Sequence, residues 1–153
     1  MKKFTIFILF IIFFSSTLYA APKEIDWDDL IPWTSVFSPG EVKFNKSLVN
    51  KEVQIPGYVL PLDIFGRGVN TFLLVPYMGA CIHVPPPAPN QIVYVEVEKP
   101  WEGLAWWEPV IVTGKIKIEN QTIEDLAVVG YEMAASEIDY YRGKTGVHGF
   151  FDR

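Results

Sequence analysis

Five short runs rich in β-branched and aromatic residues constrain this chain more than any other feature, because no long amphipathic helix competes with them. They are residues 52–62, 71–75, 91–97, 109–118 and 126–133. In the first, Val53, Ile55, Gly57 and Val59 alternate with the residues between them, the period-2 pattern of a half-buried strand. Pro56 and Gly57 sit inside that run and predict a bulge or a sharply bent edge. Gly114 lies in the middle of the fourth run, where a strongly coiled barrel strand requires a residue without a side chain. Residues 63–70 contain Gly66 and Gly68 and read as a hairpin connection. Residues 134–141 either extend the last strand or form one helical turn. Five strands with interior glycines predict a mainly β fold, a small five-stranded OB-like Greek-key barrel with short helical turns. An open sandwich is the alternative. Val53, Ile55, Val59, Leu73, Val93, Val95, Ile111 and Ile116 are expected in the core.

The first 20 residues are set aside from that fold. Lys2 and Lys3 precede an almost entirely apolar run, residues 4–14, and then Ser15, Ser16, Thr17 and a small-residue junction at Ala20 and Ala21. This is the layout of a secretory signal peptide, with cleavage expected after Ala20 and Ala21 as the alternative. The apolar run is shorter than the roughly 20 residues that span a bilayer. The expected organisation is a signal peptide over 1–20, one β-barrel domain over 21–142, and a C-terminal tail over 143–153 containing His148. The expected location is the periplasm, as a soluble protein with no stable membrane insertion.

Removing the signal takes two lysines and no acid, so the net charge moves from −5 to −7. An acidic chain with no basic cluster argues against nucleic acid as a partner. Asp26, Asp28 and Asp29 precede Leu30, Ile31 and Pro32. Acids near a helix N-terminus are favourable there, and Trp27, Leu30 and Ile31 fall at helical spacing. One helical turn is expected, stopped by Pro32 and packed through Trp27, with the acids as a solvated face rather than a calcium site. Residues 43–51 are polar and read as a short helix or a loop.

Residues 76–91 hold the only cysteine, one of the two histidines and five of the twelve prolines. In extended backbone Cys81 and His83 point the same way, since side chains alternate with period 2. A thiolate and an imidazole on one face are expected to supply half of a zinc or copper site. The prolines from Pro85 to Pro89 fix φ and remove N–H donors, predicting a stiff arm after the pair. A lone cysteine forms no internal disulfide, so Cys81 is free, metal-bound or paired with another molecule. A buried thiol acting as a small apolar side chain is the plain structural reading.

Several of these runs occur together in one known group. Gly57-Tyr58-Val59-Leu60-Pro61-Leu62, Phe72-Leu73-Leu74-Val75-Pro76-Tyr77, Gly79-Ala80-Cys81-Ile82-His83-Val84-Pro85-Pro86-Pro87, Asn90-Gln91 and Val112-Thr113-Gly114 resemble the bacterial family catalogued as domain of unknown function 3299. The resemblance covers roughly residues 25–141, and the Cys81 run is its specific part. It implies a small exported protein, some relatives being encoded beside ABC-type transporters, including a zinc-uptake system. It implies no catalytic activity.

Three functions compete on this sequence. The first is metal handling, with Cys81 and His83 as zinc ligands in an accessory to an envelope transporter component. A closed structural zinc site needs four ligands, and only His148, Met78, Met133 and carboxylates such as Glu132 are available to complete it. An open or shared site is therefore expected. The second is an interaction module without metal, presenting Tyr77, Asn90, Gln91, Trp106 and Trp107 to a partner. The third, catalysis, lacks a third member to orient His83 on Cys81, and a redox thiol lacks a resolving cysteine. No catalytic residue is assigned.

Overall fold

The computed structural model describes residues 21–37, 40–63, 68–78, 87–103, 107–123 and 127–142. The described residues form six strands: β1 (Lys23–Glu24), β2 (Glu52–Pro61), β3 (Val69–Val75), β4 (Val93–Trp101), β5 (Val110–Ile123) and β6 (Ala127–Tyr140). Short 3₁₀ turns lie at Asp28–Leu30, Trp33–Phe37, Lys46–Leu48 and Pro89–Gln91.

Five strands close on themselves in the order β2-β3-β4-β6-β5, with β5 returning to β2. The β4–β6 pair is parallel and the other barrel pairs are antiparallel. That order and that single parallel pair are the OB arrangement the strand count predicts. β1 lies outside the ring, pairing parallel with Val53 and Gln54 of β2.

Closure depends on β2 changing partners. Residues from Glu52 to Gly57 pair with β5, and those from Tyr58 to Pro61 pair with β3. The alternation of Val53, Ile55, Gly57 and Val59 toward the interior is unbroken across this change. The expected bulge at Pro56 and Gly57 is therefore replaced by a change of partner within one continuous strand. Gly57 permits it: a Cβ there would stand 2.9 Å from both Leu74 Cγ and Val75 O. At Gly114 the β5–β6 register shifts, and Ser136 of β6 is the extra residue. A Cβ on Gly114 would overlap Ala134 O and stand 2.9 Å from Ala135 Cα.

The interior is built in rows that run across the strands. Val59, Leu74, Val93, Tyr131 and Ile118 form one, and Phe72, Val95, Met133 and Ile116 the next. Most of these side chains are fully buried, each contributing roughly 1.5–3 kcal/mol of transfer free energy. Six of the expected core residues lie in this interior cluster. Leu73 is buried in a separate cluster, because Phe72 and Leu74 take the inward positions of β3. Ile111 is half-buried between the inward Val110 and Val112.

Residues 134–140 extend β6 rather than turning into a helix. The turn at Asp28–Leu30 is 3₁₀, with three residues per turn, so Trp27 and Leu30 eclipse and are buried while Ile31 is exposed. The sequence expectation of three residues on one face assumed α spacing. No helix among the described residues is long and apolar enough to cross a membrane.

Candidate functional site

β3 ends at Val75 and β4 begins at Val93, so the connection of residues 76–92 leaves and rejoins the barrel at one end. The same end receives the N-terminal cap and residues 43–51. Trp27 reaches the side of β2 through its indole N–H, which donates to Pro56 O at 2.7 Å. Leu30 and Leu48 are fully buried in the barrel interior cluster. Phe44 stands edge-on to Tyr131, with ring centroids 5.5 Å apart. Gly130 makes room for that ring, since a Cβ there would overlap it and approach Pro89 O at 2.9 Å.

Polar groups tie the cap to the barrel. The Tyr131 hydroxyl donates to Leu30 O at 2.7 Å and accepts from Asn45 N at 2.6 Å. Burial pushes the Tyr131 phenol pKa up, against the opposing hydrogen bond from Asn45, so the group stays a neutral donor at physiological pH. Asn45 donates its side-chain amide to Asp29 O at 2.7 Å, and its Oδ1 caps Ser47 N at the turn Lys46–Leu48.

The three acids of the cap have a local role. Asp26 Oδ1 accepts from Asp28 N at 2.9 Å and from Asp29 N at 3.3 Å, and Asp29 Oδ2 accepts from Asp26 N at 3.1 Å in return. This reciprocal pair follows the logic of a capping box. It agrees with acids placed at a helical start.

Tyr77 is 44% exposed, immediately after β3. Asn90 is buried and donates to Lys43 O at 2.9 Å. Gln91 donates to Trp27 O at 2.9 Å. Both amides therefore hold the cap against the turn Pro89–Gln91. Trp107 is 53% exposed, but it lies in the β4–β5 connection at the opposite barrel end, beyond the paired rings of Trp101 and Tyr140. The barrel thus separates Tyr77 from Trp107. Cys81, His83 and Trp106 lie outside the described residues, as does His148. Among the described residues no group of three or more His, Cys, Asp or Glu side chains is placed to hold a metal.

A second apolar cluster joins Leu73, Val75 and Ile92 to Ala127 and Val129 of β6, with Tyr58, Leu60, Leu62, Tyr94 and Ile123 packed against it. The Tyr94 phenol is pushed up by burial and then by Glu96 beside it. Oligonucleotide-binding OB barrels use the corresponding face with stacking aromatics and basic groups. Here Leu73, Val75 and Ile92 on that side are buried with Ala127 and Val129, Tyr58 and Tyr94 pack against them, and Glu96 stands beside Tyr94.

Two clefts flank Trp33, a residue not marked by the sequence reasoning. One, of about 680 Å³, is lined by Trp33, Lys43, Phe44, Lys46 and Ile118 among others. The other, of about 440 Å³, is lined by Asp26, Asp28, Asp29, Ile31, Trp33 and Asn45. Trp33 opens the next 3₁₀ turn, Trp33–Phe37, immediately after Pro32.

Strand order, the parallel β4–β6 pair and the capped end define a small closed OB-type barrel. The chain belongs to the family described as protein of unknown function (DUF3299), whose model matches residues 27–140. That span runs from the cap tryptophan to the last residue of β6. The chain is similar to a DUF3299 family protein from Pseudomonas aeruginosa PAO1 whose crystal structure is known, with 37% identity and a TM-score of 0.72. The match covers 82% of this chain and 99% of that one. A Leishmania major chain assigned as an aspartyl-tRNA synthetase gives 16% identity and a TM-score of 0.41, over 83% of this chain and 22% of that one. That level of likeness carries no functional argument. No curated protein matches.

Proposed function

We propose that this chain is an exported, non-catalytic zinc-handling protein that serves an envelope transporter component, with Cys81 and His83 as its metal ligands. The observation that supports the reading is the anchoring of the connection that contains them. It departs from the paired end of β3, and it returns at a turn fixed by Asn90 to Lys43 O and by Gln91 to Trp27 O. Cys81 and His83, two residues apart in sequence, fall within that connection, between the end of β3 and the held turn Pro89–Gln91. A site with few protein ligands stays open to exchange, as delivery requires, and a partner supplies the rest.

Zinc titration of the metal-stripped protein at neutral pH tests this. Cys81→Ser should weaken binding more than His83→Ala, because the thiolate is the charged ligand. Binding should release a proton and weaken as pH falls. Neither change should unfold the barrel if its core, rather than the metal, carries its stability. Coincident curves for wild type and both variants would reject the metal reading.

A second reading, an interaction module without metal, is favoured by the exposed Ile31, Trp33, Tyr77 and Met78. It takes precedence if zinc fails to bind.

A further inference from the structure

Among the described residues Trp33 is the most exposed large apolar side chain, at 75%. It and Asn45 form the wall shared by the two clefts. On one side stand Asp26, Asp28 and Asp29; on the other stand Lys43 and Lys46. Among the described residues no acid lines the lysine cleft, but Glu41 Oε2 stands 3.5 Å from Lys43 Nζ, so the charge of that flank rests mainly on Lys46. Ile31, exposed at 37%, adds apolar surface on the acidic side.

A patch with an aromatic centre, one acidic flank and one basic flank is complementary to itself. A two-fold rotation about an axis through the centre lays the basic flank of one copy on the acidic flank of the other. Closed two-fold interfaces are built this way, the same surface serving both partners. The apolar centre supplies the anchor, tryptophan being among the residues that dominate interface energetics. The flanks supply register and orientation, as complementary charge does across interfaces. An oligonucleotide or an acidic polymer would suit the lysines but be repelled by the three aspartates. A cationic partner would meet the reverse.

We propose that this surface is a self-association site, through which two copies of the chain pair about Trp33 with Asp28 of each facing Lys46 of the other. Asp28 and Lys46 are both exposed, and the capping hydrogen bonds use the side chains of Asp26 and Asp29. Asp28 and Lys46 can therefore be changed without disturbing the cap. The inference is independent of the zinc reading, since Cys81 and His83 take no part in it.

The test is the oligomeric state of the protein purified from cells, read by sedimentation over a concentration series. Wild type should show a reversible dimer, weakened by about tenfold or more when salt is raised from 0.05 to 0.5 M, because exposed charge pairs are screened. Trp33→Ala should weaken it by about tenfold or more, as loss of an interface anchor does. Asp28→Lys and Lys46→Glu should each be folded by circular dichroism and monomeric. An equimolar mixture of those two should recover a heterodimer, because each then supplies the flank the other lacks. A wild type that is monomeric up to about 100 μM, well above the micromolar dissociation constants expected of a weak specific pair, overturns the proposal. Dimers that survive both charge reversals, or a mixture that stays monomeric, also overturn it.

Discussion

The Tyr131 hydroxyl donates to the carbonyl of Leu30 at 2.7 Å, joining residues 101 positions apart in sequence. The same oxygen accepts from Asn45 N. One phenol thus holds both segments that close the barrel end. Tyr131→Phe keeps the ring and its edge-on contact with Phe44, but leaves Leu30 O and Asn45 N without that partner. Each buried group so orphaned costs about 1–3 kcal/mol. Urea unfolding should show a loss of about 2 kcal/mol or more, the two groups together, with an unchanged m-value. A variant as stable as wild type would mean that the hydroxyl does not hold the cap.

Glycine positions separate two kinds of constraint. At Gly114 the obstacle is backbone of the neighbouring strand, which cannot move aside as a side-chain end can. At Gly40 the space is open, and only φ of +89° disfavours a side chain. Gly114→Ala should destabilise by about 3 kcal/mol, at the upper end of overpacking costs. Gly40→Ala should cost about 1 kcal/mol, the penalty of a left-handed conformation. Reversal of that order in thermal melts would show that β5 and β6 can separate at the bulge.

The barrel was legible because its strands alternate cleanly and its glycines fall where strands bend. Gly114 could be read as a coiling point, but Ser136, the bulged residue opposite it, gave no signal, since a bulge depends on the register of two strands. The inward face of β3 was equally hidden. Phe72, Leu73, Leu74 and Val75 form a continuous apolar run, and period alone cannot say which of them point inward. Asn90 and Gln91 were visible as polar residues after the proline arm, but their partners Lys43 O and Trp27 O lie 47 and 64 residues away. The paired clefts at Trp33 were not legible, because they arise where residues 26–34 meet residues 43–47 in space.

Asp63 couples the hairpin between β2 and β3 to pH. Burial pushes its carboxyl upward, but hydrogen bonds from the backbone and side chains of Thr71 and Asn70 outweigh this and hold its pKa below the ordinary 3.8. The folded value is depressed, so the stabilisation is complete above the unfolded value. It declines as pH falls through the folded value. Asp63→Asn should therefore be less stable than wild type at pH 6, and the gap should narrow below pH 3.8. A gap that is constant from pH 6 to pH 2.5 would show that ionisation of Asp63 does not contribute.

The last expectation separates fold from recognition at the turn Pro89–Gln91. Asn90 is buried and its amide is committed to Lys43 O, whereas Gln91 is half-buried and donates to Trp27 O. If these amides serve the cap, Asn90→Ala should cost about 1–3 kcal/mol, the cost of leaving a buried carbonyl unpaired. Gln91→Ala should cost less, because water reaches part of its site. Both should raise the rate at which a protease cuts within residues 21–34, since the cap then opens more often from an otherwise intact barrel. Under that reading Gln91→Ala leaves binding of any partner unchanged once its stability loss is allowed for. If Gln91→Ala instead keeps full stability and protease resistance, its amide is not a clamp. Its exposed part is then the place to look for a partner contact beside Tyr77.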